Sequence, residues 1–144
     1  MAEGEYYVSP TGNDNNAGTI GSPFFTLSKA WSVVPNNTGA TIYLRGGTYN
    51  YNSRQLLVGK NGTAANSLKV FAFPGEVPVL SRGATYTNNQ GIEFSGNYVH
   101  FKNIEITGFY QMLNQIAPSF GMYVHSALGC TFENINIHHC GGVS

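Results

Sequence analysis

Hydrophobic positions along the chain follow two different periods. Residues 5–8 (Glu-Tyr-Tyr-Val) read as a short strand, and residues 9–18 are almost all turn formers, which predicts a long loop. Leu27, Ala30, Trp31 and Val34 then fall at i, i+3, i+4 and i+7, with Thr26 placed to cap the first turn and Pro35 to stop the last. One helix is predicted there. After Pro35 the period changes to two, and short strand-like runs recur at 41–44, 68–73, 91–94, 98–101, 104–106, 121–124, 130–132 and 135–137, each bounded by Gly, Asn, Pro or Ser.

The strand runs repeat. Phe101-Lys-Asn-Ile-Glu-Ile106 matches Phe132-Glu-Asn-Ile-Asn-Ile137, and upstream Gly91-Ile-Glu-Phe94 matches Gly121-Met-Tyr-Val124 in pattern. Gly142, Val143 and Ser144 read as the start of a third copy, with an insertion in the first unit around 110–119. Rungs are expected to begin near Ile42, Val70, Ile92, Met122 and Val143, a variable period typical of a solenoid with loop insertions. One period per turn, built of two or three short strands joined by tight turns, is a coil of a parallel β-helix. Such stacking places Val99 and Phe101 over Cys130 and Phe132, and Ile104 and Ile106 over Ile135 and Ile137. Asn103 over Asn134 then marks a bend, where a buried amide is expected to bond to the next rung.

Composition explains how such a chain turns so often. Sixteen Asn and 18 Gly stand beside a single aspartate, Asp14, so amides and glycine do the polar work. Both residue types tolerate left-handed backbone. Seven Lys and Arg balance seven Asp and Glu, a net charge of zero that disfavours nucleic-acid and anionic-membrane partners. With 42% apolar residues the chain is expected to fold, and no apolar run approaches the ~18 residues that cross a bilayer, so it is expected to be soluble. No basic-then-apolar signal segment opens the chain.

Residues 6–19 (Tyr-Tyr-Val-Ser-Pro-Thr-Gly-Asn-Asp-Asn-Asn-Ala-Gly-Thr), 22–30 (Ser-Pro-Phe-Phe-Thr-Leu-Ser-Lys-Ala) and 41–49 (Thr-Ile-Tyr-Leu-Arg-Gly-Gly-Thr-Tyr) resemble the opening segment of right-handed parallel β-helix proteins, above all secreted pectate lyases of polysaccharide lyase family 9. The resemblance implies an all-β fold, a right-handed parallel β-helix with one N-terminal capping α-helix. It implies a single β-helix domain over 1–144, with 5–40 as strand, loop and cap helix and 41–144 as coils of a longer solenoid. It also implies a secreted or cell-surface protein and calcium-dependent β-elimination of polygalacturonate, in which aspartates hold calcium and a Lys or Arg removes a proton. The lone Asp14 leaves that calcium site without a counterpart in this chain, so no catalytic residue is carried over. This segment alone is expected to be inactive. The alternative is a non-catalytic polysaccharide-binding or cell-surface module on the same scaffold.

Several side chains are candidates for chemistry. Glu93 and Tyr123, with Ser95 and His125 stacked beside them, point outward on the Gly91 and Gly121 rungs, and Tyr stacking on pyranose rings makes Glu93, Tyr123 and His125 the substrate-binding candidates. Lys102 is a possible base, but the repeat stacks it over Glu133 as an ion pair. His100, His125, His138 and His139 do not point to one metal, because adjacent strand residues face opposite ways and His138 stacks near Thr107. Asn13, Asp14, Asn15 and Asn16 read as turn bonding, not as a calcium loop. Cys130 and Cys140 are too far apart along an extended strand to bridge. An uncovered last coil would present strand edges, which predicts self-association through the C-terminal end, or fraying beyond about Ile137.

Overall fold

The computed structural model describes residues 4–82, 89–110 and 118–141. The elements are β1 (Glu5–Val8), α1 (Leu27–Val33), β2 (Thr41–Leu44), β3 (Gly47–Tyr51), β4 (Gln55–Leu57), β5 (Leu68–Ala72), β6 (Pro78–Arg82), β7 (Gln90–Asn97), β8 (Val99–Thr107), β9 (Phe120–Leu128) and β10 (Thr131–His138). All the strand pairs between these elements are parallel. They stack into three faces: β1-β2-β5 continued by the first half of β8, β3-β6 continued by its second half, and β4-β7-β9. Each coil runs once through all three faces, which is a parallel β-helix.

The bend that divides β8 is made by one residue. Asn103 has φ 60° and its repeat partner Asn134 in β10 has φ 51°, left-handed values that Asn tolerates better than most residues. The bend breaks the alternation of faces, so Phe101 and Ile104 both point inward although they are three apart. Asn134 Nδ2 donates to Asn103 Oδ1 at 2.8 Å, so the expected amide ladder forms. It differs in location: both amides are exposed, because a left-handed corner turns its side chain away from the core.

The repeat of 101–106 on 132–137 is reproduced residue for residue, with Phe132 against Phe101, Ile135 against Ile104 and Ile137 against Ile106. The Phe rings stack with centroids 5.3 Å apart and planes 3° from parallel. Ile42 pairs with Val70 as expected, but Val70 pairs with Phe101, not with the rung of Ile92. Ile92 belongs to a different face, between Gln55 and Met122. The expected row of rung starts therefore mixed two faces. The error arose because β3, β4 and β6 were not recognised: their polar residues (Thr48, Asn50, Gln55, Ser81, Arg82) hide a short apolar alternation of Tyr49, Tyr51, Leu57 and Leu80, all buried. The proposed copy at 142–144 lies outside the described residues, as does most of the insertion at 110–119.

α1 lies against β1 and β4, strands at the edges of their sheets, and buries Leu27, Ala30 and Trp31. Its first N–H groups lack partners within the helix, and each finds one elsewhere. Leu27 N donates to the Tyr51 hydroxyl, Ser28 N to Gln55 Oε1 and Lys29 N to the capping Thr26 Oγ1, at 3.0–3.1 Å. This explains why Gln55, an amide, is buried on the inward side of a strand. Trp31 Nε1 donates to Val58 O, and its ring meets Phe94 edge-on.

Asp14 ties the opening loop to this helix. Its Oδ1 accepts from Phe25 N and Thr26 N at 2.9 and 2.8 Å, and its Oδ2 accepts from the Thr26 hydroxyl at 2.7 Å. Asn13 closes its own turn by accepting from Asn15 N, and Asn16 donates to Pro23 O. A second tie joins coils: Arg45 donates twice to Glu76, at 2.9 and 2.7 Å, and Gly46 N donates to Glu76 Oε2 at 2.6 Å. These donors hold the Glu76 carboxyl down at about 2.

Replacing Asp14 by Ala removes three hydrogen bonds at the helix start and should lower unfolding free energy by about 1–3 kcal/mol in urea denaturation. Glu76 favours the folded state only while ionised. Its contribution is whole above its unfolded value of 4.5 and fades as pH falls toward about 2. Glu76→Gln should therefore flatten the loss of stability between pH 5 and pH 2, seen by comparing urea midpoints across that range.

Candidate functional site

The β4-β7-β9 face carries the outward row Leu56, Glu93, Tyr123, set by the pairing of Leu56 with Glu93 and of Glu93 with Tyr123. Beyond Phe94 the register slips: Gly96 pairs with Ala127, so Ser95 faces two residues, and Ser126 takes φ 51°. The two residues opposite Ser95 are His125, as expected, and Ser126. His125 Nε2 donates to Glu93 Oε1 at 3.1 Å, and its ring lies 5.2 Å from that of Tyr123.

The structure thus brings together all three expected residues, Glu93, Tyr123 and His125, and adds three that sequence reasoning missed. Arg54, just ahead of β4, sits 3.0 Å from Glu93 Oε2 and donates to Gln90 Oε1 at 3.1 Å. Phe120 places its ring 5.6 Å from Tyr123. Arg54 could have been found only by recognising β4, since the pairing that carries Arg54 to Glu93 spans 39 residues of chain. Arg54, Gln90, Glu93, Pro118, Phe120 and Tyr123 line an open cleft of about 400 Å³. Tyr123 is 51% exposed, so its ring is a platform and not a core residue. A planar sugar face fits such a platform, and the neighbouring Arg, Glu, Gln and His offer hydrogen bonds to its hydroxyls or carboxylate.

A larger concavity, about 480 Å³, is lined by Glu76, Asn103, Glu105, Asn134 and Asn136 among others. Its Glu76 is already held by Arg45, and among the described residues no aromatic ring lines it. Lys102 lies 3.4 Å from Glu133 Oε1 and over the Phe71 ring, as the ion-pair reading expected, and His100 Nε2 also meets Glu133 at 2.9 Å. His138 Nε2 meets Glu105 at 2.8 Å and its Nδ1 meets Thr107 and His139. No three metal-ligating side chains converge among the described residues. Cys130 and Cys140 are free thiols, and burial pushes the Cys140 thiol up.

A three-sided parallel β-helix whose first coil is covered by a helix defines the class of helix-capped parallel β-helix proteins. Residues 6–144 match the model of the Pel9A-like right-handed β-helix region, and the chain belongs to that family. The match also gives the helix its right hand. Pectate lyase L of Paenibacillus polymyxa is 34% identical over 142 residues, 96% of this chain and 29% of that protein. Pectate lyase PEL9 of Emericella nidulans is 32% identical over 136 residues, 91% of this chain and 32% of that protein. Among solved structures, pectate lyase Pel9A superposes with a TM-score of 0.68 at 27% identity, over 94% of this chain and 33% of that one. A rhamnogalacturonan lyase superposes with a TM-score of 0.76 at 23% identity, covering 97% of this chain and 36% of that one, a likeness of fold. The chain spans about a third of the length of these relatives.

Tyr123 and Phe101 lie on adjacent coils with opposite surroundings. Truncating Phe101, 1% exposed, to Ala should cost about 3–5 kcal/mol, while Tyr123→Ala should cost less than about 1 kcal/mol, both read from urea unfolding.

Proposed function

We propose that this chain supplies the capped opening coils of a secreted, pectate-lyase-like β-helix protein acting on polygalacturonate-type polysaccharide, and that its β4-β7-β9 face holds the sugar chain. Membership of the Pel9A-like family over residues 6–144 is the observation that carries this reading. The relatives named as pectate lyases support the substrate class. The open Tyr123 platform with Glu93, His125 and Arg54 beside it supports the choice of face.

The donor set of the described residues does not fit a calcium ion. The single aspartate spends both oxygens on the helix start, Glu5 accepts from the Tyr7 hydroxyl, and Glu76, Glu93, Glu105 and Glu133 are tied to Arg or His. Calcium and the proton-abstracting base of a lyase would therefore come from residues outside this chain, and these residues bind and orient the polysaccharide. Lys102, engaged by Glu133, is not that base in this reading.

Incubation of the chain with polygalacturonate and calcium, followed through the absorbance of the unsaturated product, should give no product above background. Calorimetric titration of the same chain with galacturonate oligomers should give binding that Tyr123→Ala weakens by about tenfold, the loss of one stacking surface. Product formed by these 144 residues alone would sink the assignment of the catalytic cluster to other coils.

A further inference from the structure

We propose that Arg54 makes this face select acidic over neutral sugars. The inference rests on the reading of the β4-β7-β9 face as a sugar-binding surface.

Both contacts of Arg54 run through one nitrogen, Nη1, to Gln90 Oε1 and Glu93 Oε2. A guanidinium has five N–H groups in a planar fork, so its remaining donors can take a carboxylate side-on while Nη1 stays engaged. The side chain is 39% exposed and lines the cleft beside Tyr123 and Phe120, where a stacked pyranose would bring its substituents to the guanidinium. Neutral sugars would use the stacking surface and hydrogen bonds to their hydroxyls, without a carboxylate for the guanidinium fork. Uronates would add that contact.

Glu93 is shared. Its Oε2 faces Arg54 and its Oε1 accepts from His125 Nε2. Among the described residues, the charged or titratable groups facing this carboxylate and imidazole are Arg54 from ahead of β4, Glu93 itself on β7, and Tyr123 and His125 on β9. Arg54 is therefore held in place from Nη1 by Gln90 and Glu93, and its other N–H groups stay available to a uronate carboxylate.

The test is calorimetric titration of the whole chain with trigalacturonate and with its fully methyl-esterified, uncharged form. Trigalacturonate should bind about three- to tenfold more tightly than the ester, a difference of the size expected of one exposed charge. Arg54→Gln should bring the acid and the ester to equal affinity. Equal affinity of the unaltered chain for acid and ester, or a preference for the acid that survives in Arg54→Gln, overturns this inference and leaves the sugar-binding reading standing. Failure to bind either form overturns both.

Discussion

Everything in this molecule depends on like side chains stacking on like across parallel strands. Ile42, Val70, Phe101 and Phe132 occupy one row through four successive coils, and a one-residue offset in the parallel pairing would turn that row outward. Burial of the row is the main favourable contribution, and the hydrogen bonds between coils come with it. A stack has ends, however. At the first coil the free strand edges and apolar ends need a cover, and α1 provides it at β1 and β4.

The cover and the stack are joined by polar groups that would otherwise be liabilities. The helix offers unpaired N–H groups, and the first coil offers Tyr51 and Gln55 from its own strands to receive them. Asp14 performs the same service from the loop side. The single aspartate is thus spent on architecture, and the chemistry of the outer faces is left to Arg, Glu, His and Tyr.

Much of the fold was legible in the sequence because apolar rows and turn residues have local signatures. The helix was readable from Leu27, Ala30, Trp31 and Val34, and the coil repeat from Phe101 to Ile106 against Phe132 to Ile137. β3 and β4 were not, because Tyr and Gln face the core there as partners for a helix, an arrangement that no strand pattern announces. Glu93, Tyr123 and His125 were readable as outward residues on repeated rungs. Arg54 was not, since its relation to them passes through the unrecognised β4, and the hydrogen bond of His125 to Glu93 accompanies a bulge that the repeat does not display.

The left-handed corners have a further consequence for how such a chain can change over generations. Asn103 and Asn134 set the exact residue at which each coil turns, so removing a single residue from β8 would send His100 and Lys102 or Glu105 and Thr107 into the space now filled by Phe101, Ile104 and Ile106. Length variation is therefore tolerable only between strands, where it leaves the corners alone. A β-helix built this way can acquire new binding surface by lengthening its loops while its three faces stay locked in number and phase.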